Sequence, residues 1–137
     1  MALTFDPERG RILICDYNMA CVPPEMDKVR RVVVVSPKSY NRRHGASPGR
    51  CVVIPFSATN PGRFLTPADV PFPAGRYRCL TVPTWAICSA IMSVSHDRLD
   101  RHFLSRTKGY SSELLAPADM ARIEEGMRHA LGTVPIS

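Results

Sequence analysis

Arg30 and Arg31 open a run of valines, and Ser57 closes a second apolar run. If residues 31–36 and 50–57 are the two arms of an antiparallel hairpin, the start of one arm neighbours the end of the other, so these side chains face one groove. A fixed guanidinium and a hydroxyl donor there would suit phosphodiester cleavage. They would stabilise the charge that builds on the phosphoryl oxygens when a ribose 2′-OH attacks the adjacent phosphorus. Arginine is a poor proton donor because its pKa exceeds about 12, so a separate acid or base, water, or a strongly perturbed arginine is still required. The alternative is structural: edge-strand charges and a serine that ends a strand.

The charge supports an anionic partner. Residues 28–68 contain Lys28, Arg30, Arg31, Lys38, Arg42, Arg43, Arg50 and Arg63 and no Asp or Glu, so one stretch accounts for the whole net charge of +6. Clustering of this kind points to a nucleic acid rather than to diffuse solubilising charge. Most of the basic residues are arginine, whose planar fork holds phosphate bidentately, although a GC-rich genome gives the same bias.

The elements that must position these groups belong to one compact domain, since 137 residues bury one core. The apolar runs are far shorter than a membrane span and residues 1–10 lack a signal-peptide pattern, so a cytoplasmic location is expected. Cys15, Cys21, Cys51, Cys79 and Cys88 include no C-x-x-C pair, and their odd count argues against a disulfide framework. Cys15, Cys51 and Cys88 read as small core hydrophobes. Cys79, Cys88 and His96 match no closed zinc pattern, and no metal or cofactor is expected. Phosphate-loop, dinucleotide, zincin and nucleophile-elbow motifs are absent from the sequence.

Residues 11–17, 31–36 and 50–57 read as strands, with a basic turn-rich connection at 38–49. The Pro23-Pro24 pair makes 18–29 an excursion, and the prolines of 58–75 suggest a stiffened surface loop. Residues 77–82 and all or part of 85–94 are further strand candidates, and 95–103 suits a short helical turn or strand exit. A C-terminal helix is expected from Pro117, with Asp119 favouring its amino end, Met120, Ile123, Met127, Ala130 and Leu131 on one face, and Gly132 as its stop. Together these predict a mainly β (α+β) fold: a small, strongly curved antiparallel sheet or partial barrel with the helix packed on it.

Taken in order, Gly10-Arg-Ile-Leu-Ile-Cys-Asp16, Pro24-Glu-Met-Asp-Lys-Val-Arg-Arg-Val-Val-Val-Val-Ser-Pro37, Tyr40-Asn41 and Val52-Val-Ile-Pro-Phe-Ser-Ala-Thr59 resemble the MazF/PemK family of toxins from type II toxin-antitoxin systems. The likeness extends more weakly through residues 85–101 and the terminal helix. It implies an SH3-like barrel, a homodimer, and a sequence-specific endoribonuclease that cleaves single-stranded RNA without metal and is neutralised by a cognate antitoxin with an acidic tail. By position, Arg30 corresponds to the family's catalytic arginine and Ser57 to its catalytic threonine. Glu25 would orient Arg30 or help in proton transfer, or else is an ordinary solvated loop acid. Lys28, Arg31, Asn41, Arg42, Arg43 and Arg63 would hold the RNA backbone.

The sequence departs from the family pattern at three places: Arg31 stands where proline is common, Ile87-Cys88-Ser89 replaces the Arg-Cys-Asp segment of one branch, and the proline-rich loop is long. These departures sustain two alternatives, a non-catalytic barrel acting by protein contact as CcdB-type gyrase inhibitors do, and an RNA-binding relic. Among single residues, His44 reads as an exposed turn tip and Trp85 as a core or interface anchor. Residues 97–101 read as a self-paired charged face.

Overall fold

The computed structural model describes residues 3–133 apart from 19–21, 24 and 26. Expectations that fall on Cys21 and Pro24 therefore lie outside the described residues.

Five strands form the frame around the site: β1 (Ile12–Asp16), β2 (Val29–Val34), β3 (Arg50–Ser57), β4 (Asp69–Phe72) and β5 (Thr84–Ile87). β6 (Met92–Ser95), β7 (Leu99–Asp100), β8 (Phe103–Leu104) and β9 (Gly109–Tyr110) are short, and α1 (Pro117–Leu131) closes the chain. All pairings are antiparallel and run in the order β4-β5-β3-β2-β1-β7, with β6 added to β3 and β8-β9 forming a separate ribbon. The fold is thus mainly β with one terminal helix, as the sequence predicts, but the strand path has two ends, β4 and β7, and does not close into a barrel.

The valine run of β2 is continuous because β2 is covered on both faces. Ile12, Val33 and Ile54 point into one core, which Met120 and Ile123 of α1 complete. Leu13, Val32, Val34 and Val53 point into a second, closed by Leu3, Val94 and Leu99. The side-chain period of two therefore assigns neighbouring valines to opposite cores.

Two sequence expectations need correction. Residues 77–82 do not form a strand; Tyr77 and Leu80 make only an isolated bridge within a turn. The strand lies instead at β4, inside the proline-rich segment expected to be a loop. Pro71 is tolerated there because β4 is an edge, where a missing N–H costs no ladder bond. The 85–94 candidate divides into β5, a 3-10 turn at Cys88–Ala90, and β6.

The helix begins and ends as its residues dictate, with Pro117 in its first turn and Gly132 in the left-handed conformation at its C-cap. Of its expected apolar face, Met120 and Ile123 are buried, Met127 and Ala130 are partly buried, and Leu131 is exposed. Gly126 lets α1 sit closely on the turn that follows β5, since a Cβ there would lie 2.7 Å from Cys88 Sγ. Asp119 does more than favour the helix dipole. It is buried, and its carboxylate accepts from Arg76 Nε at 2.7 Å and Nη2 at 3.2 Å, Tyr77 Oη at 2.6 Å and Arg122 Nη1 at 3.3 Å. Burial pushes its pKa up, but the bonds from Arg76 and Tyr77 outweigh that and hold it below the usual carboxylate range.

Candidate active site

The hairpin register sets the site. β2 and β3 pair at Val34↔Val53, Val33↔Ile54 and Val32↔Pro55, where the β2–β3 ladder ends. Beyond this point β3 pairs with β5 instead, through Phe56↔Ala86 and Ser57↔Trp85. The two strands part, and a cavity of about 360 Å³ opens beside Arg30, Arg31, Phe56, Ala58, Thr84 and His102. The start of β2 and the end of β3 therefore do not pair; they flank the cavity, with Arg30 and Arg31 on one side and Phe56 and Ala58 on the other.

Arg30 is held by Asp27: its Nε donates to the Asp27 carbonyl at 3.0 Å, and its Nη2 lies 3.6 Å from Asp27 Oδ1. Glu25 is engaged elsewhere. Its Oε1 accepts from the Val22 N–H at 2.7 Å, and its own N–H donates to the Val22 carbonyl at 2.9 Å, closing a local turn. Ser57 is not among the residues that line the cavity, although Phe56 and Ala58 on either side of it are, and its Oγ accepts from the Thr59 N–H at 3.2 Å. That bond leaves the hydroxyl proton free to donate.

Arg31 Nε, Thr84 Oγ1 and His102 Nδ1 are buried with no hydrogen-bond partner among the described residues, and all three belong to residues that line this cavity. Buried polar atoms are nearly always satisfied, so three orphans around one space mark a place that a polar ligand completes. His102 also has its pKa lowered, first by burial and then by the neighbouring Arg31 charge, against a smaller opposing pull from Glu113. With Arg31 it also borders a second cavity of about 700 Å³ that Arg78 and Arg106 face.

Sequence reasoning missed Asp27, Thr84 and His102. The carboxylate that holds Arg30 lies three residues before it, not five. Thr84 and His102 come from segments far from the hairpin, and no local spacing marks them.

The proposed RNA-binding residues do not converge on one place. Lys28 is exposed, with its backbone in the left-handed region at φ 70°, bonded through its N–H to Asn18 Oδ1 at 2.9 Å and through its carbonyl to the Tyr17 N–H at 2.8 Å. Arg63 is exposed in the 3-10 turn Gly62–Phe64, its guanidinium 5.0 Å from the Phe64 ring centroid. Arg42 and Arg43 are exposed too, but in the connection at the opposite end of β2 from Arg30. At about 3.3 Å per residue that is roughly 20 Å away.

Asn41 is not available to a ligand, which corrects its place in that set. It is fully buried, donating through Nδ2 to the Pro7 and Ser36 carbonyls at 2.8 and 3.0 Å and accepting from Ser36 Oγ at 2.5 Å. Its role is to fix the turn.

Other expectations resolve simply. Residues 97–101 form no ion pairs among themselves; Arg101 instead lies 4.2 Å from the Tyr110 ring centroid. His44 is exposed in the turn it closes with Ser47, and Trp85 is half-buried in β5. Cys15, Cys51, Cys79 and Cys88 are buried free thiols. Burial pushes the first two up to about 11 and about 12. Among the described residues no group of three His, Cys, Asp or Glu is placed to hold a metal ion.

The sequence profile of the family described as the PemK-like, MazF-like toxin of type II toxin-antitoxin systems matches residues 8–131. The chain belongs to this family. The match spans both arms of the hairpin, the cavity between them and all of α1. No curated protein sequence matches.

Solved structures of MazF-type toxins share the fold. MazF from Deinococcus radiodurans superposes with a TM-score of 0.62 at 22% identity, covering 93% of this chain and 98% of that one. An endoribonuclease in complex with its cognate antitoxin, from a mycobacterial species, gives 0.62 at 21% identity, covering 96% and 99%. The Mycobacterium tuberculosis toxin MazF-mt6 gives 0.58 at 18% identity over 89% and 96%. The PemK/MazF-like architecture is thus kept almost end to end, while most individual residues differ.

Proposed function

We propose that this PemK/MazF-like toxin is a metal-independent, sequence-specific endoribonuclease that cleaves single-stranded RNA. The observation that carries this reading is the cavity between β2 and β3, which Arg30 lines and where Arg31 Nε, Thr84 Oγ1 and His102 Nδ1 are buried with no partner among the described residues. A scissile phosphate placed there would accept from Arg30 and from the Ser57 hydroxyl as negative charge builds on its oxygens. Donors that are fixed in advance stabilise such charge without reorganising during the reaction.

Arg31 holds the RNA backbone at the cavity, Lys28 and Arg63 hold it from their own exposed positions, and Arg42 and Arg43 extend the contact to the far end of the hairpin. Glu25, in the loop that leads into β2, supports Arg30 by bracing that loop through its bonds with Val22. The toxin works as a homodimer in the cytoplasm, its curved sheet belongs to the SH3-like barrels, and a cognate antitoxin covers the site with an acidic tail. The relative whose name records a complex with its cognate antitoxin supports that last assignment.

Incubating the purified protein with RNAs of mixed sequence in EDTA tests the activity. Fragments beginning at a fixed sequence context are expected. Intact RNA at high protein concentration overturns the reading, and growth arrest that survives Arg30→Ala would favour a toxin that acts by protein contact.

A further inference from the structure

Arg30 and Ser57 supply charge and a hydrogen-bond donor, but neither removes the 2′-OH proton at neutral pH. The cavity contains one side chain suited to that step. His102 reaches it from the segment between β7 and β8, opposite the β2 arginines. Its Nδ1 is buried and unpaired, while its Nε2 is neither among the buried unpaired atoms nor bonded to a described residue. The ring therefore keeps one nitrogen open to the space it lines. We propose that His102 is the general base of the ribonuclease reaction, a role that rests on the endoribonuclease reading above.

In this step Nε2 takes the 2′-OH proton while O2′ bonds to phosphorus and the P–O5′ bond breaks. O5′ leaves with the bonding pair and takes a proton from water, and the hydroxide so formed recovers the proton from His102. The products are a 2′,3′-cyclic phosphate and a 5′-hydroxyl. Burial of the ring and the charges around it fit a base rather than an acid. Arg31 of β2 faces the imidazole and opposes its protonation, and Arg30 adds positive charge to the same cavity. Arg78 and Arg106 face it from the second cavity, while Glu113, on the chain leading to α1, pulls the other way. Glu113 is itself occupied, accepting from the Arg78 and Cys79 N–H groups at 2.9 and 3.0 Å. The balance keeps the ring neutral near pH 7.

The test is single-turnover cleavage from pH 5 to 9, in EDTA, for the wild type, His102→Gln and His102→Ala. Binding of an RNA carrying a 2′-deoxy nucleotide at the cleavage position is measured alongside. The wild-type rate is expected to rise with pH through one ionisation below about 6.5, the ordinary histidine value. His102→Gln is expected to lose that limb and to fall about 10²- to 10³-fold at pH 7, in the usual range for removal of a general base. RNA binding should change less than threefold, and added imidazole should restore part of the His102→Ala rate.

A His102→Gln rate that keeps the wild-type pH profile overturns the proposal. So does a wild-type kinetic pKa that differs from the His102 value measured by NMR titration, a comparison that needs no variant to fold. If the wild type itself leaves RNA intact, the endoribonuclease reading fails first. Cleavage by the wild type with an unaltered His102→Gln profile sinks only the assignment of the base.

Discussion

Two polar clusters lie beside each other, with Thr84 bordering the cavities of both, and each includes arginine. Under α1, Asp119 takes four hydrogen bonds from Arg76, Tyr77 and Arg122, and Tyr77 Oη accepts a further one from the Ala116 N–H at 2.8 Å. Between β2 and β3, Arg31, Thr84 and His102 each leave a buried polar atom unpaired. The first cluster is chemically closed and fixes where the helix docks. The second is open, with no partner for these three atoms among the described residues. A buried polar cluster therefore does not itself mark a site; incomplete satisfaction around a cavity does.

The contrast predicts opposite responses to mutation, most strongly at the open cluster. Arg30→Ala is expected to lower RNA cleavage about 10²- to 10³-fold, as loss of a transition-state donor does, with little change in the thermal midpoint. A matching loss of stability would instead place Arg30 with the structural cluster. Asp119→Ala should do the reverse, destabilising the fold by about 2–3 kcal/mol, a figure reduced because both arginines are substantially exposed. Calorimetry should show a midpoint drop of roughly 10 °C, with cleavage per folded molecule unchanged.

The pH dependence of the closed cluster has a definite sign. The Asp119 pKa is lowered on folding, so its contribution is fully present above the unfolded carboxylate value and is lost as pH falls through the folded one. Acid unfolding of Asp119→Asn should therefore lack that component of the wild-type curve. At the open cluster, Thr84→Val removes an unpaired hydroxyl at nearly constant volume. It should leave stability unchanged or raise it by up to about 1 kcal/mol while weakening RNA binding. A clear loss of stability there would mean that the hydroxyl is already satisfied. The smallest effect is expected from Arg43→Ala, which should lower the slope of log K against log salt by about 0.7, the value for one phosphate contact to a single strand. An unchanged slope would confine the RNA to the cavity end of the hairpin.

What was legible in the sequence follows from the range of each interaction. The valine run, the apolar run that ends at Ser57 and the Pro117 to Gly132 frame of the helix are local patterns, and they located β2, β3 and α1 closely. The antiparallel pairing of β2 with β3 was legible from the two arms alone, but not the point at which β3 leaves β2 for β5, short of Arg30 and Ser57. β4 was missed because its two prolines flank or interrupt a short edge strand, a place where the usual proline penalty does not apply. Asn41 looked like a loop residue free to bind, but its partners Pro7 and Ser36 became visible only in three dimensions. Thr84 and His102 reach the cavity from other parts of the chain, so no spacing rule could have joined them to Arg31.

The buried thiols give the molecule a built-in reporter of opening. Cys15 and Cys51 lie in one core, and Cys79 and Cys88 lie in the other. All four resist ionisation, so in the native state they are poor nucleophiles toward oxidants and alkylating reagents. Each becomes reactive only when its own half of the sheet comes apart. The order in which the four are labelled would therefore show, without any engineered probe, which half of the toxin loosens first.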